Sequence, residues 1–538
     1  MPTPPLRPLR VALWLSTLLL ALPVLVVLAS WFQWDAQAGE LLANMATTVL
    51  PDYVGTTVLL CVLVSVGVIS MGTVSAAAVT LLDFPGRRVL EWALLLPMAL
   101  PAYVVAYAYT DFLQYSGPLQ HWVRTHASVQ GAVLPDIRNV WGAALVFSVT
   151  LYPYVYLLVR TALAERATHL MEAARLLGAS LSRRILRVAL PLARPAIAAG
   201  TALALMETLA DFGVSSYFGV QTFTAGVFKA WLAMDNRLAA SQLATVLLLT
   251  VAGVLYAEQR AQARLRFASL RGVQHGHDAQ PVRLHGGRAL VALVLCALPV
   301  LLGFVLPVVF LLHGLLQVED MQLPWARFAQ WTLTSLGLGA LTALLAAGLA
   351  LLLSAQLRLF PQAWNQVMVR AVGLGYAVPG AVIVVGLLLP VGWLQATAGA
   401  DWLTRLVTTT VFGLVWAYLV RFVAVALQSL QSGYSRVPVT LDDSARMLGV
   451  AGWRLFWRVH APLLKRPVLA ALLLVMVDVM KELPATLVLR PFNSDTLAVM
   501  AYQLARDERL GEAALPSLAL VLVGLLPVVL LSRTLRAR

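Results

Sequence analysis

The sequence contains unusually few charged residues for its length. Lysine, arginine, aspartate and glutamate make up 12% of its 538 residues, whereas 60% are hydrophobic and the mean hydropathy is +0.81. A soluble globular domain carries about 25% charged residues, so this chain has too few to cover a water-exposed surface. The composition therefore excludes a soluble protein and indicates one that lies mostly in a membrane.

Cysteine is almost missing as well. Cys61 and Cys296 are the two that occur, and both fall in long apolar runs far apart in the sequence. This excludes a disulfide framework and a cysteine-based metal pair. The sequence also lacks the phosphate-binding pattern G-x-x-x-x-G-K-[S/T], the metalloprotease pattern H-E-x-x-H and the nucleophile elbow. It therefore predicts no enzyme, no cofactor and no metal site.

Long apolar runs recur along the whole chain, and about 20 residues are enough to cross the hydrocarbon core of a bilayer. Runs of this length are typical of membrane-spanning helices rather than of a closed barrel. They predict an all-α integral membrane protein with about twelve spans, near residues 11–32, 54–82, 89–112, 140–160, 192–212, 239–257, 289–312, 331–354, 371–394, 409–430, 467–484 and 514–532.

Basic residues are unequally divided between the two sides that these spans define. With the N-terminus in the cytoplasm, the cytoplasmic segments hold 28 of the 39 lysine and arginine residues, counting Arg160 and Arg194 at the cytoplasmic ends of their spans, and the external segments hold nine. The first external segment, residues 33–53, has acidic residues and no basic one. This bias predicts that both termini are cytoplasmic, and it explains the net charge of +14 without a nucleic-acid partner.

One polar segment occurs twice in matching form. Residues 172–191 read EAARLLGASLSRRILRVALP, and residues 443–462 read DSARMLGVAGWRLFWRVHAP, 271 positions later. A basic loop that only follows the charge bias, or that contacts anionic lipid, explains the arginines but not the shared A-R-[L/M]-L-G. The recurrence predicts two docking elements on the cytoplasmic side of the membrane.

Each copy follows the fourth of six predicted spans, so the chain divides into two similar halves. We expect a first transmembrane half over residues 1–257, a cytoplasmic linker over 258–288 and a second transmembrane half over 289–538. Six spans return the chain to its starting side, so the two halves have the same orientation and the repeat is parallel. A gradient-driven secondary transporter is the alternative, but its usual sign is an inverted repeat.

The two segments resemble the EAA signature of bacterial ABC importer permeases, which consists of Glu-Ala-Ala, a glycine shortly after it and a hydrophobic residue followed by proline. The first copy matches fully, at Glu172, Ala173, Ala174, Gly178 and Pro191. The second copy departs at its first two positions and keeps the glycine and the proline, at Asp443, Ser444, Ala445, Gly449 and Pro462. The resemblance implies a permease like those of type I ABC importers, with both halves fused in one chain of the bacterial inner membrane.

What the resemblance implies about partners is specific. These ten residues are expected to couple the permease to two copies of a separate ABC ATPase, so that ATP hydrolysis lies outside this chain. A periplasmic substrate-binding protein is expected to deliver the substrate. The residue types suit the role, since glycine permits a tight turn between two helices and proline allows a helix to restart.

Two further stretches resemble the fused permeases of ferric-iron importers. Residues 206–231 read METLADFGVSSYFGVQTFTAGVFKAW, and residues 490–527 begin RPFNSDTLAVMAYQLARDERLGEAA. The resemblance implies that the substrate is ferric iron. Fused thiamine and phosphonate permeases have the same arrangement of six plus six spans, so these substrates stay open as alternatives.

Four carboxylates occupy matched positions near the outer end of the fifth span of each half: Glu207, Asp211, Asp478 and Glu482. Within each half the two acids are four residues apart, a spacing that places them on one face of a helix. Ferric ion is a hard cation that prefers oxygen ligands, and ionisable residues inside a membrane usually face a pathway. The four are candidates for the translocation path; the alternative is a structural role, such as an ion pair of Asp478 with Lys481.

Overall fold

The computed structural model describes residues 7–33, 36–127, 131–269, 282–317, 325–435 and 437–536. Most of these residues are helical, and the sheet content of the described ranges is a single pair of two-residue parallel strands. The all-α fold predicted from the apolar runs is therefore confirmed.

The described part of the first sequence half is a succession of helices joined by short breaks. Its 3₁₀ turns lie at Ser30–Phe32 and Leu96–Ala99, and its π-helical segments at Ile185–Ala189 and Lys229–Ala233. The α-helices are α1 (Arg7–Ala29), α2 (Ala36–Thr47), α3 (Leu50–Leu81), α4 (Arg87–Ala93), α5 (Ala102–Leu113), α6 (Pro118–Ala127), α7 (Val140–Leu176), α8 (Leu181–Arg184), α9 (Leu190–Ala210), α10 (Gly213–Tyr217), α11 (Phe223–Phe228) and α12 (Arg237–Ser269).

The described part of the second sequence half has the same character. A 3₁₀ turn lies at Gly375–Ala377, and π-helical segments lie at Leu301–Val305 and Phe456–His460. The α-helices are α13 (Gly287–Val300), α14 (Leu306–Leu316), α15 (Trp325–Leu359), α16 (Ala363–Gly373), α17 (Gly380–Ala398), α18 (Asp401–Thr409), α19 (Val411–Tyr434), α20 (Val439–Met447), α21 (Gly452–Leu455), α22 (Ala461–Leu463), α23 (Lys465–Lys481), α24 (Pro484–Leu489), α25 (Leu497–Arg506) and α26 (Leu510–Arg536).

Three of the twelve predicted spans differ from a single straight helix of spanning length: those near 89–112, 371–394 and 467–484, the last of which is the 17-residue helix α23. The described residues contain ten helices that are long and apolar enough to cross a membrane, and an eleventh span if the bent pair Arg87–Ala99 and Ala102–His126 counts as one. That pair bends by 91°. Its second helix starts after Pro101, and α17 likewise starts after Pro379, so the span predicted near 371–394 begins later than expected. Proline disfavours helical backbone in the residue before it, which ends the preceding helix.

The helices group into two compact units, and each unit takes residues from both sequence halves. The first unit consists of Met1–Asn44, Val227–Leu248 and Leu323–Met500, and the second unit of Met45–Gly226, Leu249–Gln322 and Ala501–Arg538. The division at 1–257 and 289–538 therefore stays a prediction about the sequence repeat, whereas packing places the first helix of the chain with helices of the second half.

Within the first unit, α15, α19 and α23 pack together, and α1 packs along α17. Pro23 of α1 has no N–H, so the carbonyl of Leu19, four residues earlier, loses its helical partner. The indole Nε1 of Trp416 donates a hydrogen bond to that carbonyl at 3.0 Å. A proline in the first span thus creates an acceptor that attaches α1 to α19.

Within the second unit, α3, α7 and α9 pack together at close range. A Cβ atom on Gly72 would lie 2.7 Å from Cβ of Val155 and 2.9 Å from the carbonyl oxygen of Tyr152. A Cβ atom on Gly200 would lie 2.6 Å from Cα of Val155. Only glycine fits at these crossings, as is usual where membrane helices approach closely.

The end of the predicted linker is attached to the second unit. Strand β1 (Leu82–Asp83) pairs in parallel with strand β2 (Val282–Arg283), and the Asp83 carboxylate lies 4.0 Å from Arg87 and 3.8 Å from Arg283. Helix α12 continues to Ser269, beyond the predicted start of the linker at residue 258, and residues 270–281 lie outside the described ranges.

Candidate functional site: the two repeated loops

Each repeated segment turns at its glycine; we call residues 171–191 the first loop and residues 442–462 the second loop. Gly178 has φ of +79° and Gly449 has φ of +78°, both in the left-handed region. In the first loop, the N–H of Ala179 donates to the carbonyl of Ala174 at 2.9 Å, and the N–H of Gly178 donates to the carbonyl of Arg175 at 3.0 Å. The second loop has the same two bonds. This pattern ends a helix with a left-handed glycine, so the predicted tight turn is present in both loops.

A π-helical segment follows each turn at the same position of the repeat. Ile185–Ala189 and Phe456–His460 are 271 residues apart, and each precedes the proline of its copy. Pro191 and Pro462 lie in the first turn of the next helix, where a missing N–H leaves no bond unmade. π-Helical turns are rare and are frequent at functional sites. Apolar periodicity cannot predict them, because the extra residue of a π-turn changes the period only locally.

Two large apolar side chains precede the glycine in each loop and are almost fully exposed. Leu176 and Leu177 are 89% and 88% exposed, and Met447 and Leu448 are 89% and 83% exposed. We call these residues the apolar pairs. Exposed apolar groups that recur at matched positions of a repeat are candidates for a surface that another molecule covers. The motif comparison did not single them out, although the L-L-G and M-L-G triplets inside polar segments carry the signal.

The remaining predicted coupling residues lie on the helices that lead into the turns. Residues 172–174 belong to the last turns of α7, and residues 443–445 belong to α20. Ala173 and Ser444 are exposed, and the exposed carboxylate of Asp443 pairs with Arg446 at 2.9 Å. The structure therefore gathers the ten residues into two helix–turn–helix segments of closely similar geometry.

A buried ionic network underlies the second loop, and the sequence did not reveal it. Asp442, next to the predicted Asp443, is 1% exposed. Its Oδ2 accepts a hydrogen bond from Nε of Arg358 at 2.8 Å, and its Oδ1 lies 3.0 Å from Nε2 of His460. Burial acts to raise the pKa of Asp442, but the hydrogen bonds from Arg358 and His460 outweigh it and hold the pKa below its usual value. The carboxylate is therefore charged at neutral pH and joins α20 to the end of α15.

The structure changes the interpretation of the carboxylates proposed for the translocation path. Helix α9 ends at Ala210 and α23 ends at Lys481, so Asp211 and Glu482 lie one residue past a helix, in extended backbone. The expectation that each acid pair shares one helical face is therefore wrong. The reason is that only two residues separate each helix end from a new short helix, α10 or α24.

Asp211 and Glu482 instead bind the starts of those short helices. Oδ1 of Asp211 accepts a hydrogen bond from the N–H of Val214 at 2.9 Å, and Oε1 of Glu482 accepts one from the N–H of Ala485 at 2.9 Å. Oε2 of Glu482 also accepts bonds from the N–H and hydroxyl of Thr486. Both carboxylates thus satisfy N–H groups that have no helical partner.

Glu207 and Asp478 are half-buried in the last turns of α9 and α23. Glu207 and Asp211 belong to the second unit, and Asp478 and Glu482 to the first. Within the described residues, no group of three or more His, Cys, Asp or Glu side chains is placed to hold a metal ion. A pathway role for the four acids stays a prediction.

Comparison with known proteins settles the family. A family model described as the binding-protein-dependent transport system inner membrane component matches residues 68–259 and again residues 346–537. The chain belongs to this family. Each match contains one repeated loop and the acid pair that follows it, so this permease carries the two family units in one chain. Permeases of this family are multi-pass membrane proteins that work with an ATPase and a substrate-binding protein.

Three relatives differ in how much of the permease they match. The permease is 25% identical over 492 residues to the Fe(3+)-transport system permease protein of Haemophilus influenzae, and the match covers 90% of each chain. It is 24% identical over 202 residues to a putative molybdenum transport system permease protein of Bacillus subtilis, covering 36% of the permease and 86% of that relative. It is 30% identical over 199 residues to the sulfate transport system permease protein of Escherichia coli, covering 36% and 67%. The prediction of a fused ABC importer permease is confirmed.

Proposed function

We propose that this permease moves ferric iron from a periplasmic binding protein into the cytoplasm, driven by a separate ABC ATPase. The supporting observation is the match over 90% of both chains to a relative named as an Fe(3+)-transport permease. The molybdenum and sulfate relatives each cover 36% of the permease, which is about the length of one of its two repeat units. They share the general transport unit but not the fused arrangement.

We further propose that two copies of the ATPase bind, one on each loop, and that both termini lie on the cytoplasmic side. The two loops have the same glycine turn, the same π-helical segment and the same exposed apolar pair. Equal surfaces call for equal partners, and burying the apolar pairs would stabilise the complex. The excess of basic residues on the loop side supports the orientation.

The proposal is tested by uptake in proteoliposomes that contain the permease, its ATPase and its binding protein. Ferric iron bound to the binding protein should stimulate ATP hydrolysis and accumulate inside. Molybdate, sulfate, thiamine and a phosphonate, supplied in the same way, should do neither. Stimulation by one of these four, with none by iron, would assign another substrate and contradict the proposal.

The acid pairs provide a prediction about the path. We expect Asp211→Asn to lower iron uptake severalfold while leaving expression and basal ATP hydrolysis unchanged. The asparagine side-chain oxygen can still accept the bond from the N–H of Val214, so the substitution removes charge and keeps the helix start. A lost carboxylate would raise the barrier for a hard cation.

The control separates charge from capping. Asp211→Ala removes both the charge and the acceptor, so it reports the structural contribution of the cap, about 0.5–2 kcal/mol. If Asp211→Asn transports iron at the normal rate and Asp211→Ala does not, the carboxylate only caps α10. At Glu482, amide and alanine substitutions separate charge from capping less well, because both carboxylate oxygens accept hydrogen bonds.

We also propose that segments 213–237 and 484–512 contact the two lobes of the binding protein. The turn between α25 and α26 is exposed from Arg506 to Arg509, and Arg509 is bound to Glu512 of its own chain at 2.7 Å. We expect the reversals Arg506→Glu and Asp507→Lys to raise several-fold the binding-protein concentration that half-maximally stimulates hydrolysis. Charges at the rim of an interface act mainly on association.

The matched control is Arg405→Glu. Arg405 is exposed on α18, outside both segments, and on the same predicted side of the membrane. Arg405→Glu changes the charge by the same amount as Arg506→Glu. It should leave unaltered the binding-protein concentration that half-maximally stimulates ATP hydrolysis. Equal effects at positions 405 and 506 would mean that general surface charge, and not contact at the turn, sets the response.

A further inference from the structure

The buried network of the second loop joins four separate parts of the chain. Arg358, at the end of α15, donates from Nε to Asp442 and from its terminal nitrogen to the carbonyl of Val437 at 3.0 Å. His460, in the π-helical segment, lies between Asp442 and Tyr434. The hydroxyl of Tyr434 is 3.4 Å from Nδ1 of His460. The network therefore holds α15, the end of α19, α20 and the π-helical segment in one arrangement.

The elements that form this network also form a cluster of apolar side chains. Leu359 and Phe360 next to Arg358 pack with Ala445 of α20 and with Leu455 and Phe456 of the second loop, and all five side chains are buried. The side chain of Asp442 is 2% exposed and that of His460 is fully buried. The side chain of Arg358 is 20% exposed, so Asp442 is the charge that is shielded from water, and moving α20 away from α15 would leave its carboxylate without the arginine partner.

The first loop has different chemistry at the matched positions. Asp442 corresponds to Met171 and His460 corresponds to Ala189, each 271 residues earlier. Neither side chain can take part in an ionic network. In that half, the ion pair of Arg160 with Glu91 joins α7 to α4, and both residues lie outside the loop. The turns of the two loops thus have the same geometry, but the buried residues that support the turns differ.

We propose that Asp442 is a positioning residue that makes the two coupling loops unequal. In the second loop, a displacement imposed by the ATPase passes to α15 through the contact of Asp442 with Arg358. In the first loop, Met171 occupies the matched position and cannot form such an ionic contact, so a displacement there has no charged connection to pass through. The inference rests on the proposed function, because it requires an ATPase bound at each loop.

The test compares three variants in the complete complex with ATPase and iron-loaded binding protein. Asp442→Met copies the residue of the first loop, and Asp442→Asn keeps a hydrogen-bond acceptor. The double variant Arg358→Met with Asp442→Met removes both charges of the pair, so that neither partner is left as an unpaired buried charge and we expect the fold to be retained. Met171→Leu, a change of similar volume at the matched position of the first loop, is the control.

The readout is the ratio of iron-stimulated to basal ATP hydrolysis per assembled complex, with ATPase co-purification measured separately. We expect Asp442→Met and the double variant to bind ATPase normally and to lose at least about tenfold in this ratio, within the usual range for coupling between sites. Asp442→Asn should fall between them and the wild type, and Met171→Leu should match the wild type.

A ratio restored in the double variant would overturn the inference, because the defect of Asp442→Met would then come from an unpaired arginine. Loss of ATPase co-purification in all three Asp442 variants would overturn it as well, because Asp442 would then build the docking surface itself. In either case the proposed function stands, because it is tested on the wild-type permease and is contradicted there by failure to bind an ATPase or by absence of stimulation with the iron-loaded binding protein.

Discussion

Replacing Gly178 and Gly449 together with valine is expected to abolish iron-stimulated ATP hydrolysis while the permease stays inserted in the membrane. Both glycines have φ near +80°, a conformation that costs a side-chain-bearing residue about 1–2 kcal/mol and a β-branched one more. Among the described residues, no atom outside the glycine and its two chain neighbours lies within 4 Å of where a Cβ would be placed at either site. The effect must therefore come from backbone strain that changes the turn, not from a steric clash with a neighbour.

This reasoning predicts an order among substitutions that bulk alone would not give. Asparagine tolerates the left-handed conformation, so Gly→Asn at both positions should keep most of the coupling, Gly→Ala should keep less, and Gly→Val should keep least. Stimulated hydrolysis and ATPase co-purification would be measured for each double variant. An order that follows side-chain volume, with asparagine worse than alanine, would show that an ATPase surface fits closely against the glycine and that backbone strain is secondary.

The second large effect is expected at the apolar pairs. Replacing Leu176, Leu177, Met447 and Leu448 with serine should abolish co-purification of the ATPase. Burial of one leucine side chain contributes about 1.5–3 kcal/mol, so losing two at each loop weakens binding by more than a hundredfold. All four side chains are exposed in the permease alone, so its own stability should change little.

Changing one loop at a time tests whether each loop binds its own ATPase copy. Serine at the first pair alone, or at the second alone, should leave one ATPase per permease, which native mass spectrometry can count. Trp402→Ser, which removes another exposed apolar side chain from α18, serves as control and should leave two. Full ATPase content in the fourfold serine variant would mean that the ATPase binds elsewhere on the permease.

Several features of this fold could be predicted from the sequence because they depend on composition and on exact repetition. Apolar runs revealed the spans, and the recurrence of A-R-[L/M]-L-G revealed both loops and their glycines. Helix breaks inside the apolar runs were harder to see. Pro101 and Pro379 were visible, but Pro23 and Pro153 lie within helices, so proline alone does not show where a span divides.

The site was predictable in outline but not in its contacts. Asp442 and Asp443 are neighbours of the same type, yet one is buried against Arg358 and the other is exposed beside Arg446. Only the position of α15 decides between them, and that position is a tertiary property. Asp211 and Glu482 were misplaced on a helical face for a similar reason, because each binds the start of a helix that apolar periodicity does not resolve.

The attachment of α1 to α19 has a consequence for the order in which the protein is made. Helix α1 leaves the ribosome before α19, because Trp416, which satisfies the carbonyl freed by Pro23, is synthesised about four hundred residues later. The first unit needs residues up to Met500, and the second needs residues from Ala501 onward. Neither unit can therefore complete its helix packing until most of the given sequence has been translated. A nascent chain stopped after the first half would hold α1 in the bilayer with an unpaired carbonyl, open to quality-control proteases.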